Sequence, residues 1–369
     1  MKIIVDENIP LSEEAFSGLG KVTKINGRKI DNGVLKDTDV LIVRSITKIN
    51  EALLRNTKVK FVGTATTGDD HIDIGFLKNS GIRFANAKGC NANSVAEYLF
   101  CSIVFALSSF KDCELNSIGI VGYGTIGKKV ASIAECLGLK VLINDPPLQR
   151  KESGNNKFLS LKDVLQADIV SFHTPLNIGG IDNTFHLLNK DNIKYLQSKS
   201  ILINTSRGEV IDSSILLDAK ERKSFKYILD VWENEPEIST LLLEKSEIGT
   251  PHIAGYSYEG KVNGTKIIYD ELCNYLNVTS NWNPRSIYDK KINIEIESNR
   301  NEIDFLLKLS VFLYDVKYDS DNLKKNRNNF DLLRKEYRKR LEFSNYRINQ
   351  SEQSKQFTKL LDVLRIDKY

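Results

Sequence analysis

The sequence predicts an α/β protein of two or three domains, built on parallel sheets covered by helices. Three observations predict it. The chain has 369 residues, too many for one hydrophobic core. Short apolar runs alternate with helical patterns as far as residue 255, the rhythm of strand–helix–strand units. One stretch, Ser117–Asp145, reads strand, glycine turn, helix, strand, acid. Composition agrees: 41% hydrophobic and 27% charged residues suit a packed, water-facing chain. The net charge of +4 is too mild and too dispersed for a nucleic-acid face. The most apolar stretch, Tyr98–Leu107, is too short to span a bilayer and reads as a buried helix. Met1-Lys2-Ile3-Ile4-Val5 meets Asp6 and Glu7 at once, so no secretory leader is expected. Five cysteines, scattered and without C-x-x-C spacing, read as reduced thiols of a cytoplasmic protein.

Taken in order, the first runs are Ile3–Val5, Val22–Ile25, Val40–Val43, Val59–Val62 and Ile82–Ala85. They predict one parallel sheet with helices on both faces. Such sheets bind ligands beyond the carboxyl ends of their strands. Those ends carry Arg44-Ser45, Thr64-Ala65-Thr66-Thr67-Gly68 and Asn86-Ala87-Lys88-Gly89, a set suited to an anion. Arg44 and Ser45 are therefore candidate phosphate contacts, with Lys88 at a neighbouring end. His71 lies among Asp69, Asp70 and Asp73, but no second ligand cluster completes a metal shell, and no metal is expected. Asn93–Ser109 reads as a long apolar helix leading out of this sheet.

The dinucleotide unit follows. After the apolar run Ser117–Val121 comes Gly122-Tyr123-Gly124-Thr125-Ile126-Gly127, a G-x-G-x-x-G that opens a helix ending near Leu139. Gly122 permits the tight turn, Gly124 lets backbone approach a pyrophosphate, and Gly127 lets helix and strand pack closely. The free N–H groups and positive dipole end of the helix then face the phosphates. Asp145, at the end of the second strand, suits the two ribose hydroxyls and repels a 2′-phosphate, so NAD is expected over NADP. Further strands at Asp168–Phe172, Ser200–Asn204, Lys226–Asp230 and Glu247–Gly249 complete a six-stranded sheet of the Rossmann type. Ile126, Thr205 and Ser206 join the glycines as candidate cofactor contacts. His173 is a weaker candidate for that pocket, and His186 is expected to pack structurally.

Three strand ends carry chemistry. Arg207 follows Ile201–Asn204, Glu235 follows Ile228–Asp230, and His252 follows Ile248-Gly249. Hydride transfer from a hydroxy acid needs a cation for the carboxylate, a base for the hydroxyl proton, and an acid that tunes the base. Arg supplies a planar fork. His titrates near neutrality, and a carboxylate partner sets its tautomer. Near Gly255 the chain leaves this unit, and a helix at Ser257–Leu276 is expected to carry it back to the first sheet. Beyond Asn281-Trp282-Asn283-Pro284 the composition changes: no glycine, many cations, scattered aromatics. Ile292–Ile296 reads as a strand, Asn301–Leu313 and Phe330–Phe343 as helices. Lys324, Lys325, Arg327, Arg334, Lys335, Arg338, Lys339 and Arg340 form a basic stretch, either a solvated face or part of an interface or anion pocket.

Together, Gly122–Gly127, Asp145, Arg207, Glu235 and His252 resemble the D-2-hydroxyacid dehydrogenases. Leu41–Asn50, Gly89–Asn93, His173–Leu176, Tyr314–Val316 and Phe330–Tyr337 resemble one branch of that family, so the likeness covers nearly the whole chain. The resemblance implies a Rossmann-type NAD-binding domain at 94–256. It implies a discontinuous, flavodoxin-like substrate (lid) domain at 1–93 and 257–282, and an α+β dimerisation domain at 285–369. It further implies a homodimer that oxidises a small phosphorylated hydroxy acid with NAD. Arg207 and Glu235 would be active-site residues and His252 the proton carrier. Ser45, Thr66 and Tyr256 would touch substrate; Asp145, Thr174, Asp230 and Gly255 would touch NAD. Lys88 departs from the pattern, which has proline there. Two rivals stay open: a phosphoglycerate- or glycerate-type dehydrogenase, and a non-enzymatic NAD-sensing module.

Overall fold

In the computed structural model the chain divides into two compact units. One comprises Met1–Asn91 and the segment that starts at Tyr256; the other comprises Ala92–Gly255 and the C-terminal segment to Tyr369. The structure describes residues 1–111, 113–152, 157–284, 291–296, 302–349 and 355–369.

The first unit is a five-stranded parallel sheet: β1 (Lys2–Asp6), β2 (Lys21–Ile25), β3 (Val40–Val43), β4 (Phe61–Thr64) and β5 (Arg83–Asn86). Their order is β2-β1-β3-β4-β5, the flavodoxin-type order. The order reverses between β1 and β3, so the end of β3, where Arg44 begins, lies at the switch point where such sheets bind ligands. The central strands Val-Leu-Ile-Val and Phe-Val-Gly-Thr are buried throughout, as strands covered on both faces must be. The helix Tyr258–Leu276 packs on β4 and β5, capped by Ser257, whose Oγ accepts from Gly260 N at 2.8 Å. The expected helix there begins one residue later than its cap, Ser257.

The second unit holds a six-stranded parallel sheet: β6 (Ser117–Val121), β7 (Lys140–Asn144), β8 (Ile169–Phe172), β9 (Ile201–Asn204), β10 (Lys226–Leu229) and β11 (Ile248–Gly249). The order is β11-β10-β9-β8-β6-β7. A single parallel bridge, Ile143–Phe158, stands outside β7 where a full dinucleotide sheet carries another strand. The switch point lies between β6 and β8, and the glycine turn leaves from it.

The helix Ala92–Ser109 is long and apolar enough to cross a membrane by length and composition, but 72% of it is buried inside the protein. Its sequence is apolar on every face, which demands cover on every face. It packs on the helix Thr125–Cys136 and on the helix Glu302–Leu313 of the C-terminal segment, within one continuous core that also holds Ile118, Ile120 and Phe343. That segment adds β12 (Ile292–Ile294), β13 (Tyr346–Ile348) and β14 (Asp367–Lys368) in a small parallel sheet, with helices Glu302–Leu313, Val316–Lys325 and Lys355–Leu364. This segment shares one continuous core with the nucleotide sheet. The expected start at 285, and Asn301 of the expected helix, lie outside the described residues. The helix expected over Phe330–Phe343 ends at Lys335. Beyond it Arg340, Leu341 and Glu342 are all buried, which no single helical face permits.

Candidate active site

Gly122 takes φ 95°, a left-handed value that favours glycine, and a Cβ on it would stand 2.9 Å from the His173 carbonyl carbon. A Cβ on Gly127 would stand 2.1 Å from Gly122 O, so the helix Thr125–Cys136 seats directly on the turn. Gly124 faces open space, and as N-cap it gives the helix no side-chain cap. The first helical N–H groups are therefore available to an anion. Asp145 binds the turn to the end of β7: its Oδ2 accepts from Tyr123 N at 2.7 Å and its Oδ1 from Leu148 N at 2.9 Å. Each oxygen keeps a lone pair for a ribose hydroxyl. Thr174 and Thr205, just past β8 and β9, have buried Oγ1 atoms with no hydrogen-bond partner among the described residues. An open glycine, an uncapped helix start, a placed carboxylate and two orphaned hydroxyls fit a dinucleotide such as NAD.

The other expected cofactor residues stand differently. Ile126 is half-buried against the helical core. Ser206 spends its N–H and hydroxyl on Asn204 Oδ1, at 3.0 and 2.7 Å, and so shapes the turn. Asp230 is buried and gives both oxygens to the turn after β11: Oδ1 accepts from Thr250 Oγ1 (2.6 Å) and Ile253 N (2.7 Å), Oδ2 from Ala254 N (2.9 Å). Burial raises its carboxyl above the ordinary value, against the opposing pull of His252 and these bonds. His173 follows β8 with both ring nitrogens buried and without a partner among the described residues, and burial pushes its imidazole down to about 3. It is neutral there.

The turns after β10 and β11 bring Glu235 and His252 together, and the turn after β9, which carries Arg207, packs against the turn after β10. Asn204 Nδ2 donates to Arg207 O at 2.8 Å, and the Arg207 guanidinium donates to Ser206 O at 2.7 Å. Gly208 lies flat on the next turn: a Cβ there would fall 2.0 Å from the Trp232 carbonyl carbon. Glu235, three residues on, accepts from Trp232 N through Oε1 (3.0 Å) and pairs through Oε2 with His252 Nδ1 (2.8 Å). This sets the Nδ1–H tautomer and leaves Nε2 for a substrate proton. Burial alone would raise the Glu235 carboxyl. The charge and hydrogen bond of His252, then Arg334 of the C-terminal segment and the Trp232 N–H, hold it below its ordinary value. His252 itself has φ 56°, a left-handed backbone that costs ~1–3 kcal/mol in a non-glycine residue. The strain persists because His252 N donates to Asp230 O at 2.7 Å and both following N–H groups are held by Asp230.

In the first unit, Arg44 stands over the Tyr256 ring, 5.7 Å from its centre, and Lys261 stands 4.7 Å from the same ring. Two cations thus meet at one phenol. Lys261 was not among the expected residues; its position one turn into the helix after Tyr256 was the available signal. Ser45 and Lys88 are exposed at the ends of β3 and β5. Thr66 Oγ1 lies 2.8 Å from Thr64 Oγ1 and donates to Gly68 O, while Thr64 Oγ1 meets His71 Nε2 at 3.1 Å. His71 therefore ends a hydrogen-bonded chain beneath Thr66. Of its acidic neighbours, Asp73 caps the helix Ile74–Asn79 and Asp69 accepts from Asn86. Elsewhere His186, Asp212 and Glu233 approach one another, but His186 Nε2 already meets Glu233 Oε1 at 2.6 Å and Ser213 N fills Glu233 Oε2.

Comparison with known proteins agrees with this geometry. The family model for the D-isomer specific 2-hydroxyacid dehydrogenase NAD binding domain matches residues 107–254, and a domain of unknown function (DUF3410) matches 290–363. Residues 107–254 thus form an NAD-binding domain. The chain is 43% identical over 356 residues to erythronate-4-phosphate dehydrogenase of Proteus mirabilis, covering 94% of both chains. It is 42% identical to the enzyme of that name from Photorhabdus laumondii, covering 93% of both. Among solved structures, NAD-bound 3-phosphoglycerate dehydrogenase of Entamoeba histolytica matches with TM-score 0.65 and 26% identity, over 78% of this chain and 99% of that one. The chain belongs to the erythronate-4-phosphate dehydrogenases, a family within the D-isomer-specific 2-hydroxyacid dehydrogenases.

Proposed function

We propose that the protein oxidises 4-phospho-D-erythronate to 3-hydroxy-2-oxo-4-phosphooxybutanoate with NAD, a step of pyridoxal 5′-phosphate (vitamin B6) synthesis. The observation that carries the reading is the His252–Glu235 pair at 2.8 Å, beside the Arg207 turn, in an NAD-binding unit. NAD, when bound, supplies the hydride acceptor. Arg207 holds the substrate carboxylate with its planar fork. His252 Nε2 takes the hydroxyl proton, and Glu235 keeps the ring oriented and stabilises the imidazolium that results. Asp145 favours NAD over NADP by its charge.

The phosphate needs a cation of its own, since Arg207 is committed to the carboxylate. Arg44, with Ser45, Thr66 and Tyr256, is assigned that task, and Lys261 at the same ring strengthens it. Residues 1–93 and 257–282 are then the substrate domain, 94–256 the NAD domain and 285–369 the dimerisation region. A homodimer through the last is supported by Val311 and Phe312, 50% and 44% exposed on the helix Glu302–Leu313. All five cysteines are free thiols, which suits the cytoplasm.

NADH formation with 4-phosphoerythronate, 3-phosphoglycerate and unphosphorylated erythronate tests the reading. Turnover should be fastest with 4-phosphoerythronate. Faster turnover of 3-phosphoglycerate would reassign the substrate, and no turnover of any acid would favour a binding module.

A further inference from the structure

We propose that Arg340 is a positioning residue for the reaction: it holds the backbone turn that carries His252, so the C-terminal segment takes part in catalysis as well as in assembly. The proposal rests on His252 as the proton acceptor.

Arg340 is 5% exposed. Its guanidinium donates to Ala254 O at 2.5 Å and to Ser94 O at 3.1 Å, and lies 4.4 Å from the centre of the Tyr314 ring. Nε and NH1 find no acceptor among the described residues. A buried cation with unused N–H groups is expensive, and an apolar side chain of similar volume would pack there at lower cost. The buried carboxylates Glu97 and Asp319 favour its charge, but its hydrogen bonds go to two backbone carbonyls, and these are what tie it to the turn. Ala254 is two residues from His252 and one from Gly255, where the chain leaves the nucleotide unit. Ser94 lies in the first turn after the chain enters that unit at Ala92. One guanidinium thus joins the entry and the exit of the unit.

The exit turn is the strained one. Its donors are held by Asp230, which takes the N–H groups of Ile253 and Ala254. Its start is held at Thr250, whose Oγ1 meets Tyr98 OH at 2.8 Å and whose carbonyl accepts from Trp232 Nε1 at 2.9 Å. The Ala254 carbonyl is held by Arg340. Two more bonds from the same segment brace the preceding edge: Gly249 N donates to Ser320 Oγ at 3.0 Å, and Lys324 Nζ donates to Ser246 O. With Arg340 in place, both the donors and an acceptor of the turn are held. Without it, the left-handed backbone at His252 relaxes and the 2.8 Å bond to Glu235 lengthens.

The full-length enzyme, Arg340→Met and Arg340→Lys are compared by kcat, KM for NAD and the pH profile of kcat, with folding followed by circular dichroism. His252 faces Glu235 and Asp230, and Glu235 faces Arg334, so a loosened turn removes carboxylate support from the imidazole. Losing one charge-assisted bond should lower kcat of Arg340→Met by about ten- to a hundredfold, with KM for NAD little changed. The rising limb of the profile should move to lower pH. Arg340→Lys keeps the charge without the fork and should recover part of kcat. A folded Arg340→Met with wild-type kcat and an unmoved limb overturns the proposal. Should Arg340→Met fail to fold, Arg340→Lys decides alone: a reduced kcat with a displaced limb supports the proposal, and wild-type values for both overturn it. His252→Ala separates the two readings, since full activity in that variant would remove the proton acceptor itself, whatever Arg340 does.

Discussion

The two large sheets of this protein are wound alike, yet their carboxyl ends are furnished in opposite ways. At the ends of the first stand cations and hydroxyls with loose attachments: Arg44 over the face of Tyr256, Ser45 and Lys88 exposed. At the ends of the second stand carboxylates gripped by backbone N–H groups: Asp145 by Tyr123 and Leu148, Asp230 by Ile253 and Ala254, Glu235 by Trp232. An anion of several rotatable bonds needs charge within reach more than a single geometry, and solvated cations supply it. A proton relay needs one geometry, because a base acts only within hydrogen-bond reach of its proton. Parallel βα turns serve both ends, and the residues after the strand decide which.

The comparison breaks most severely at His252. His252→Ala should lower kcat by about 10²–10⁴-fold, the worth of general acid–base catalysis, while NAD binding, followed by fluorescence of the NADH complex, persists. Glu235→Gln should keep a hydrogen bond but remove the charge that favours imidazolium, so the rising limb of the kcat–pH profile moves to lower pH. An unmoved limb would mean that the 2.8 Å contact does not couple the two residues. Arg44→Ala sharpens the other side. It should reduce kcat/KM by about ten- to a hundredfold with 4-phosphoerythronate, one charge-assisted hydrogen bond, and little with erythronate. Equal losses with both substrates would make Arg44 a structural residue.

Smaller effects follow from the carboxylate and imidazole of the second sheet. Asp145→Ser should narrow the ratio of kcat/KM values for NAD and NADP by about tenfold, since one charge-assisted bond and the repulsion go together. A constant ratio would confine Asp145 to bracing the glycine turn. His173 bears on stability. Its imidazole is pushed from an ordinary 6.5 to about 3 by burial, so the unfolded chain takes up a proton that the folded one refuses. That contribution is intact above pH 6.5 and is lost as pH falls toward 3. Thermal midpoints should decline across that window, and His173→Asn should flatten the decline.

Much of this arrangement was legible in the sequence because strand ends are legible. An apolar run followed by a charged turn places the turn's side chains at the carboxyl edge, and there Glu235 and His252 meet at 2.8 Å. The glycine spacing likewise carried Gly122, Gly124 and Gly127. Lys261 escaped because it lies on a helix, where nothing in the local pattern shows that it shares a ring with Arg44. Arg340 escaped because a run of cations shows charge but not burial. Its neighbours do what such runs commonly do: Arg327 pairs with Glu244 and Arg338 with Asp319. The apolar helix Ala92–Ser109 announced that it would be buried, but not that the last part of the chain would help to bury it.

That last point bears on how the protein is made. The helix ends at Ser109, and the C-terminal helices that help to cover it begin at Glu302. At a synthesis rate of ~5–20 residues per second, the interval lasts on the order of ten seconds or more. Within it the six strands of the nucleotide sheet are made, the last ending at Gly249, before the segment that covers this helix begins. Chains that stop before Glu302 should therefore leave part of this apolar helix uncovered and be prone to aggregate.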